Sequence, residues 1–342
     1  MLRFLLSSLI LGVLGVAKCP ANAQQAALPA TPRVTVALDG SGDFRTVQAA
    51  VNAAPNGGAN RFTVAIKSGT YREKLVIPRE KGPLTLEGSG AATTILTFDD
   101  FAGRLDSAGQ PLGTSKSFST SIASDDFVAE NLTFENTHEI GGGVGNQALA
   151  LSFSGDRGVF RKCRFIGKQD TLYIARNRGY FEECFIAGQV DFIFGGATAW
   201  FEKCELNLVA PGIAITAAST PQESPFGYIF SHCKISAPDG ATWKTHLGRP
   251  WRPYASVIFL NTEMTDAIEP AGWNPWNKPD KPDNEKTARY AEFGSFGPGA
   301  NPAARAAWSK QLSETEARAI TLEAVMGDWN PKTTLPALTG PR

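Results

Sequence analysis

Between residues 128 and 264 the apolar positions return again and again in one short frame, Phe-x-x-Cys-x-apolar. It is clearest at Phe160 (FRKCRF), Phe181 (FEECFI), Phe201 (FEKCEL) and Phe230 (FSHCKI). Weaker copies stand at Val128 (VAENLTF, with Asn131 in the Cys slot) and Phe259 (FLNTEM), making six in all. Strands of a β-sandwich alternate apolar and polar residues, but they share no side-chain frame at a near-fixed period. A repeat of this length instead marks a solenoid, each coil lying on its neighbour. The expected architecture is therefore all-β, a parallel β-helix in one domain. Alternation within the copies turns Phe and Cys inward and leaves Arg161, Lys162, Glu182, Glu183, Glu202 and Lys203 outside.

A stack of this kind needs its ends covered by short capping elements. Thr46–Ala54 (TVQAAVNAA) reads as a short helix with Thr46 as cap and Pro55 as stop. Ser313 and Glu316 make a capping box, and the helix they start is expected to run to Gly327. The stretch Pro270–Pro302, rich in Pro, Gly and Asn, reads as loop along the stack.

The two longest copies, FRKCRFIGKQDTLY and FEECFIAGQVDFIF, also share a glycine (Gly167, Gly188) and an aspartate (Asp170, Asp191). Equivalent residues on neighbouring coils lie about 4.8 Å apart, so the two carboxylates are expected side by side on one face. Both sit in strand-like apolar text, where an unpaired charge is costly. Adjacent like charges cannot both ionise cheaply, so one aspartate should keep its proton. Calcium wants six to eight oxygen ligands, which the flanking Phe and Ile do not supply. Arg249, in LGRPW, is the better partner, since a guanidinium can hold one Asp ionised and oriented. Gln147 and Gln169 are amides that could donate to a developing oxyanion if both face the aspartates. Trp251 fits either a core position or a face for a sugar ring.

With 342 residues, 42% of them hydrophobic, and no net charge, the chain can bury a large core and carries no basic surplus for nucleic acid or a polybasic membrane contact. Arg3, the apolar run Phe4–Ala17 and Ala21-Asn22-Ala23 read as a secretory leader over residues 1–23, leaving a mature domain of 24–342 in an exported protein. That run is shorter than the ~20 residues of a spanning helix. Export puts Cys163, Cys184, Cys204 and Cys233 where disulfides can form. Their separations of 21, 20 and 29 residues exclude metal-knuckle spacing. A Cys184–Cys204 bridge and a row of free buried thiols are both compatible with stacked coils. No G-x-S-x-G elbow occurs and only His138, His232 and His246 are present, so a hydrolase here would work through its carboxylates.

These residues, with DGSGDF at Asp39, GTYRE at Gly69, QALAL at Gln147, QDTL at Gln169, VDFIFG at Val190, LGRPW at Leu247 and GPGA at Gly297, resemble the pectin methylesterases over nearly the whole mature chain. The resemblance implies a right-handed parallel β-helix of the pectin-lyase-like kind and a two-aspartate esterase acting on the C6 methyl esters of homogalacturonan. It implies that Asp191 attacks the ester carbonyl and that protonated Asp170 is acid, then base. Gln147 and Gln169 would form the oxyanion hole, Arg249 would hold Asp191, and Trp251 would stack on the sugar. It implies no metal or cofactor, while the short leader without a plant-type inhibitory pro-region points to a bacterial-type secreted enzyme, expected to act as a monomer on pectin with no nucleic-acid or membrane partner. The family's substrate-binding Thr upstream of Gln147 has no clear counterpart in Ser117–Ser121 (SFSTS). Two rivals are a non-catalytic β-helix that binds acidic polysaccharide and a calcium-dependent polyuronate lyase.

Overall fold

The computed structural model describes residues 33–333 except 59, 142 and 277–282. The expected leader, residues 1–23, lies outside the described residues. Among these residues three parallel sheets of 11, 8 and 7 strands run the length of the molecule. The chain visits them in rotation: Gly158–Arg161 in the first sheet, Arg164–Ile166 in the second and Leu172–Ile174 in the third complete one coil. The next coil repeats the circuit through Arg178–Glu182, Phe185–Gly188 and Ile193–Gly195. Register is fixed by like lying on like, with Phe160 opposite Phe181 and Leu172 opposite Ile193.

Because coils are one strand spacing apart, inward phenylalanines of the frame have no choice but to stack. Phe160, Phe181, Phe201, Phe230 and Phe259 form one column, with successive ring centroids 4.7, 4.7, 4.5 and 4.5 Å apart. Phe165 packs edge-on against both Phe160 and Phe181, tying a second wall of the core to the column. Offset and edge-to-face contacts of this kind add to the area that the rings bury.

The cysteines form a parallel row one corner further on. All four are free and buried, and each thiol donates to a carbonyl of the coil below, as Cys184 does to Phe160 at 3.3 Å. The residue before each one is left-handed: Lys162, Glu183, Lys203 and His232 have φ of 51–53°. This single-residue corner swings the chain from the first sheet to the second. It also corrects the register of the weakest copy. Arg161 pairs with Glu130, so left-handed Asn131 (φ 53°) takes the corner and buried Leu132, not Asn131, fills the Cys position.

The N-terminal cap is a helix, Val47–Ala53, burying Val47, Ala50 and Val51. Thr46 caps it through the N–H of Ala49, and Glu73 of the GTYRE motif accepts from the N–H groups of Val47 and Gln48, each at 2.8 Å. A carboxylate there satisfies orphan donors and opposes the helix dipole. At the other terminus the single expected helix is two, Glu314–Ala319 and Leu322–Met326. Thr321 starts the second by accepting from Ala324, and the break lets Ala317, Val325 and Met326 pack on the outer face of the first sheet with Trp200 and Ile258. The Pro270–Pro302 stretch is also not all loop: Arg289–Phe293 joins the first sheet beside Ser256–Leu260, because Tyr290 continues the inward aromatic packing. No helix among the described residues is long and apolar enough to cross a membrane.

The phenylalanine column generates a stability prediction. Phe181→Ala removes a ring contacted from above, below and the side, and should cost about 3–5 kcal/mol, read as a lowered midpoint in urea unfolding. A midpoint equal to the wild type would show that the column does not hold the coils together.

Candidate functional site

Asp170 and Asp191 occupy the corner between the second and third sheets, on adjacent coils. Gln169 bridges Val190 in parallel register, Asp170 N–H donates to the Val190 carbonyl at 3.0 Å, and Asp191 N–H to that of Ala214 at 2.7 Å. Both aspartates are left-handed, with φ of 63° and 49°, a conformation that Asp and Asn tolerate better than other L-residues. Three residues earlier the frame glycines make room. A Cβ on Gly167 would stand 2.7 Å from the Thr171 hydroxyl, and one on Gly188 2.2 Å from Phe192 Cβ. The strand can thus close over the corner and turn both carboxylates outward.

They open into a cleft of about 400 Å³ lined by Gln147, Gln169, Asp170, Asp191, Arg249 and Trp251, with Thr114, Ser115, Tyr173, Phe194, Ala217 and Trp276. All six residues singled out from the sequence are therefore together. Asp170, Asp191 and Arg249 are only 8, 5 and 7% exposed. Arg249 grips Asp191 with two prongs, Nε to Oδ1 at 2.8 Å and Nη2 to Oδ2 at 2.5 Å. Its other face lies on the Trp276 indole, 3.7 Å from the ring centroid. Asp170 has no such partner: among the described residues nothing donates to its carboxyl. Burial first, and the negative charge of Asp191 second, push its pKa well above the usual carboxylate range, with Arg249 opposing.

The amide side chains of Gln147 and Gln169 make no hydrogen bond to protein among the described residues, although their backbone carbonyls are engaged by Ala102 and Ala148. Two unengaged amides thus line a cleft that holds one clamped carboxyl group and a second whose pKa is pushed upward. Tyr173 and Phe194 stack at 4.5 Å, and Phe194 meets Trp251 edge-on at 5.9 Å, so half-buried Trp251 belongs to an aromatic wall of the cleft and not to the core.

Sequence reasoning missed Tyr173 and Phe194, though alternation pointed to them, since Leu172 and Ile193 are their inward neighbours. Trp276 was hidden inside Pro270–Pro302. Ser117, Ser119 and Thr120 of the ambiguous upstream segment are buried, and the hydroxyls that reach the cleft are Thr114 and Ser115, on the short helix just before it. Among the described residues no group of three or more His, Cys, Asp and Glu side chains is arranged to hold a metal.

The model of the family described as Pectinesterase matches residues 33–328. The chain belongs to the pectinesterase family. It is 35% identical over 291 residues to Pectinesterase 31 of Arabidopsis thaliana, covering 84% of this chain and 90% of that one. The solved pectin methylesterase from carrot is 34% identical, with a TM-score of 0.79 and coverage of 91% and 98%. A pectin methylesterase in complex with hexasaccharide VII is 30% identical, with a TM-score of 0.78 and coverage of 88% and 98%. The pectinesterase chain is thus a carboxylic ester hydrolase built on a right-handed parallel β-helix.

Asp170 leads to a pH prediction. Its folded pKa is raised above the unfolded value of about 3.9, so between the two the native state binds more protons than the unfolded state, and stability falls as pH rises through that window. Asp170→Asn has no charge to desolvate and suits the left-handed corner. It should melt higher than the wild type at pH 7, by roughly 2 °C or more, with the gap closing towards pH 4. A gap independent of pH would mean that Asp170 is not held protonated.

Proposed function

We propose that this pectinesterase hydrolyses C6 methyl esters of homogalacturonan to pectate and methanol by a two-aspartate route. The observation that carries the reading is the asymmetry of the pair: Asp191 is clamped by a guanidinium, whereas Asp170, equally buried, accepts from no donor among the described residues and has its pKa pushed well above the usual carboxylate range. The clamp keeps Asp191 anionic and oriented, so one oxygen attacks the ester carbonyl. The resulting oxyanion takes hydrogen bonds from Gln147 and Gln169, whose amides have no competing partner among the described residues. Collapse of the tetrahedral intermediate breaks the bond to methoxide, which leaves as methanol with the Asp170 proton. Asp170, now a carboxylate, takes a proton from water as that water attacks the acyl-enzyme, and Asp191 is released. Charge and protons return to their starting positions after each turnover.

Trp251 stacks on the sugar ring, and Thr114 is the hydroxyl for the upstream substrate contact. No step calls on a metal or organic cofactor. In the same reading residues 1–23 are an export leader, and residues 24–342 act as a monomer outside the cytoplasm on pectin, without a nucleic-acid or membrane partner.

Methanol release from pectin in the presence of a chelator tests the activity. Its absence, with pectin still bound, would favour the non-catalytic binder; an unsaturated product dependent on calcium would favour the lyase. Asp191→Asn should lower turnover by about 10⁴-fold or more with the fold intact by circular dichroism, although melting falls because Arg249 loses its counter-ion; near-normal activity would remove Asp191 from the nucleophile role. Gln147→Ala and Gln169→Ala should each lower kcat by roughly 10²–10³-fold with little effect on KM. A change confined to KM would make these amides substrate-binding groups.

Asp170 must be protonated to release methanol, so kcat/KM should fall as pH rises through its raised pKa. Arg249 opposes that rise, so Arg249→Gln should move the alkaline limb to higher pH while lowering the plateau. A limb that stays put, measured on methylated oligogalacturonate, would assign it to another group.

A further inference from the structure

The charges that line the cleft are Asp170, Asp191 and Arg249. With Asp170 protonated, the remaining carboxylate and the guanidinium cancel, and both are consumed by each other. The centre of the cleft thus suits a neutral ester and, among the described residues, offers no free cation to a carboxylate. Yet a partly de-esterified chain carries carboxylates on the sugars beside the one reacting, and each needs a partner or water.

The next residue after Trp251 meets that need. Arg252 is exposed, its guanidinium carbon lies 4.9 Å from the centroid of the Trp251 ring, and its one hydrogen bond among the described residues is a long 3.4 Å contact to the Trp251 carbonyl. It is in no ion pair among the described residues, unlike Arg249, Arg178, Arg157 and Arg104, which are each tied to aspartates. Stacking on an indole orders a guanidinium without using its donors, so its fork stays available for a planar carboxylate.

Building on the ester-hydrolase reading above, we infer that Arg252 is a specificity-determining residue that binds the free carboxylate of a de-esterified galacturonate next to the reacting ester. Trp251 and Arg252 then divide the work, the ring holding a sugar and the guanidinium reading whether the neighbouring unit is charged.

The test compares wild type, Arg252→Gln and Arg252→Lys on two oligogalacturonates of equal length, one fully methyl-esterified and one partly de-esterified. The measured quantity is the ratio of kcat/KM on the second to that on the first. Arg252→Gln should lower this ratio roughly three-fold, the size of one exposed ion pair, through KM, and Arg252→Lys should retain most of it. In about 1 M sodium chloride, where screening shortens the reach of an exposed charge to ~3 Å, the wild-type ratio should drop to that of Arg252→Gln. An unchanged ratio, or one insensitive to salt, overturns the assignment. Should the wild type release no methanol from either substrate, the esterase reading fails instead. Calorimetric binding of trigalacturonate then still decides on Arg252: weaker binding by Arg252→Gln supports it, equal binding refutes it.

Discussion

Every feature of this molecule depends on one constraint, the in-register stacking of coils a single strand spacing apart. Under that constraint a residue's nearest neighbours are its own equivalents above and below. Apolar residues gain, because a phenylalanine opposite a phenylalanine buries both faces of the ring. Charged residues lose, because a carboxylate opposite a carboxylate feels full repulsion in a setting poor in water. The same geometry that makes the core is what makes the acidic pair unusual.

The fold resolves the conflict by treating the two carboxylates differently. Arg249 arrives from a later coil and neutralises Asp191, with Trp276 backing the guanidinium. Asp170 is left to burial and repulsion, which push its pKa well above the usual carboxylate range. Two chemically identical side chains, in nearly the same backbone conformation, thereby acquire different electrostatic settings.

Much of this was legible in the residues. The Phe-x-x-Cys frame carries the coil period because the interior columns demand the same side chain at each turn, and the glycine and aspartate shared by its two longest copies place the acidic pair. The register at Val128 was misread since Asn131 and Cys163 look equivalent in sequence, whereas the left-handed corner ranks Asn131 with Lys162. The split of the last helix depends on the outer face of the first sheet, which no local pattern reveals. Trp276 and Thr114 come to the cleft from segments without a repeat, so nothing in their spacing announced them. Which aspartate is clamped depends on the reach of Arg249, 58 residues from Asp191, a tertiary fact.

The location of the cleft along the stack has its own consequence. Contacts in a solenoid are nearest-neighbour, so opening begins at the outermost turns and travels inward. Gln147 to Trp251 occupy the middle turns, with coils before and after them. Turns at either terminus can therefore fray and re-form without disturbing the acidic pair, and the turns that line the cleft are the last to melt.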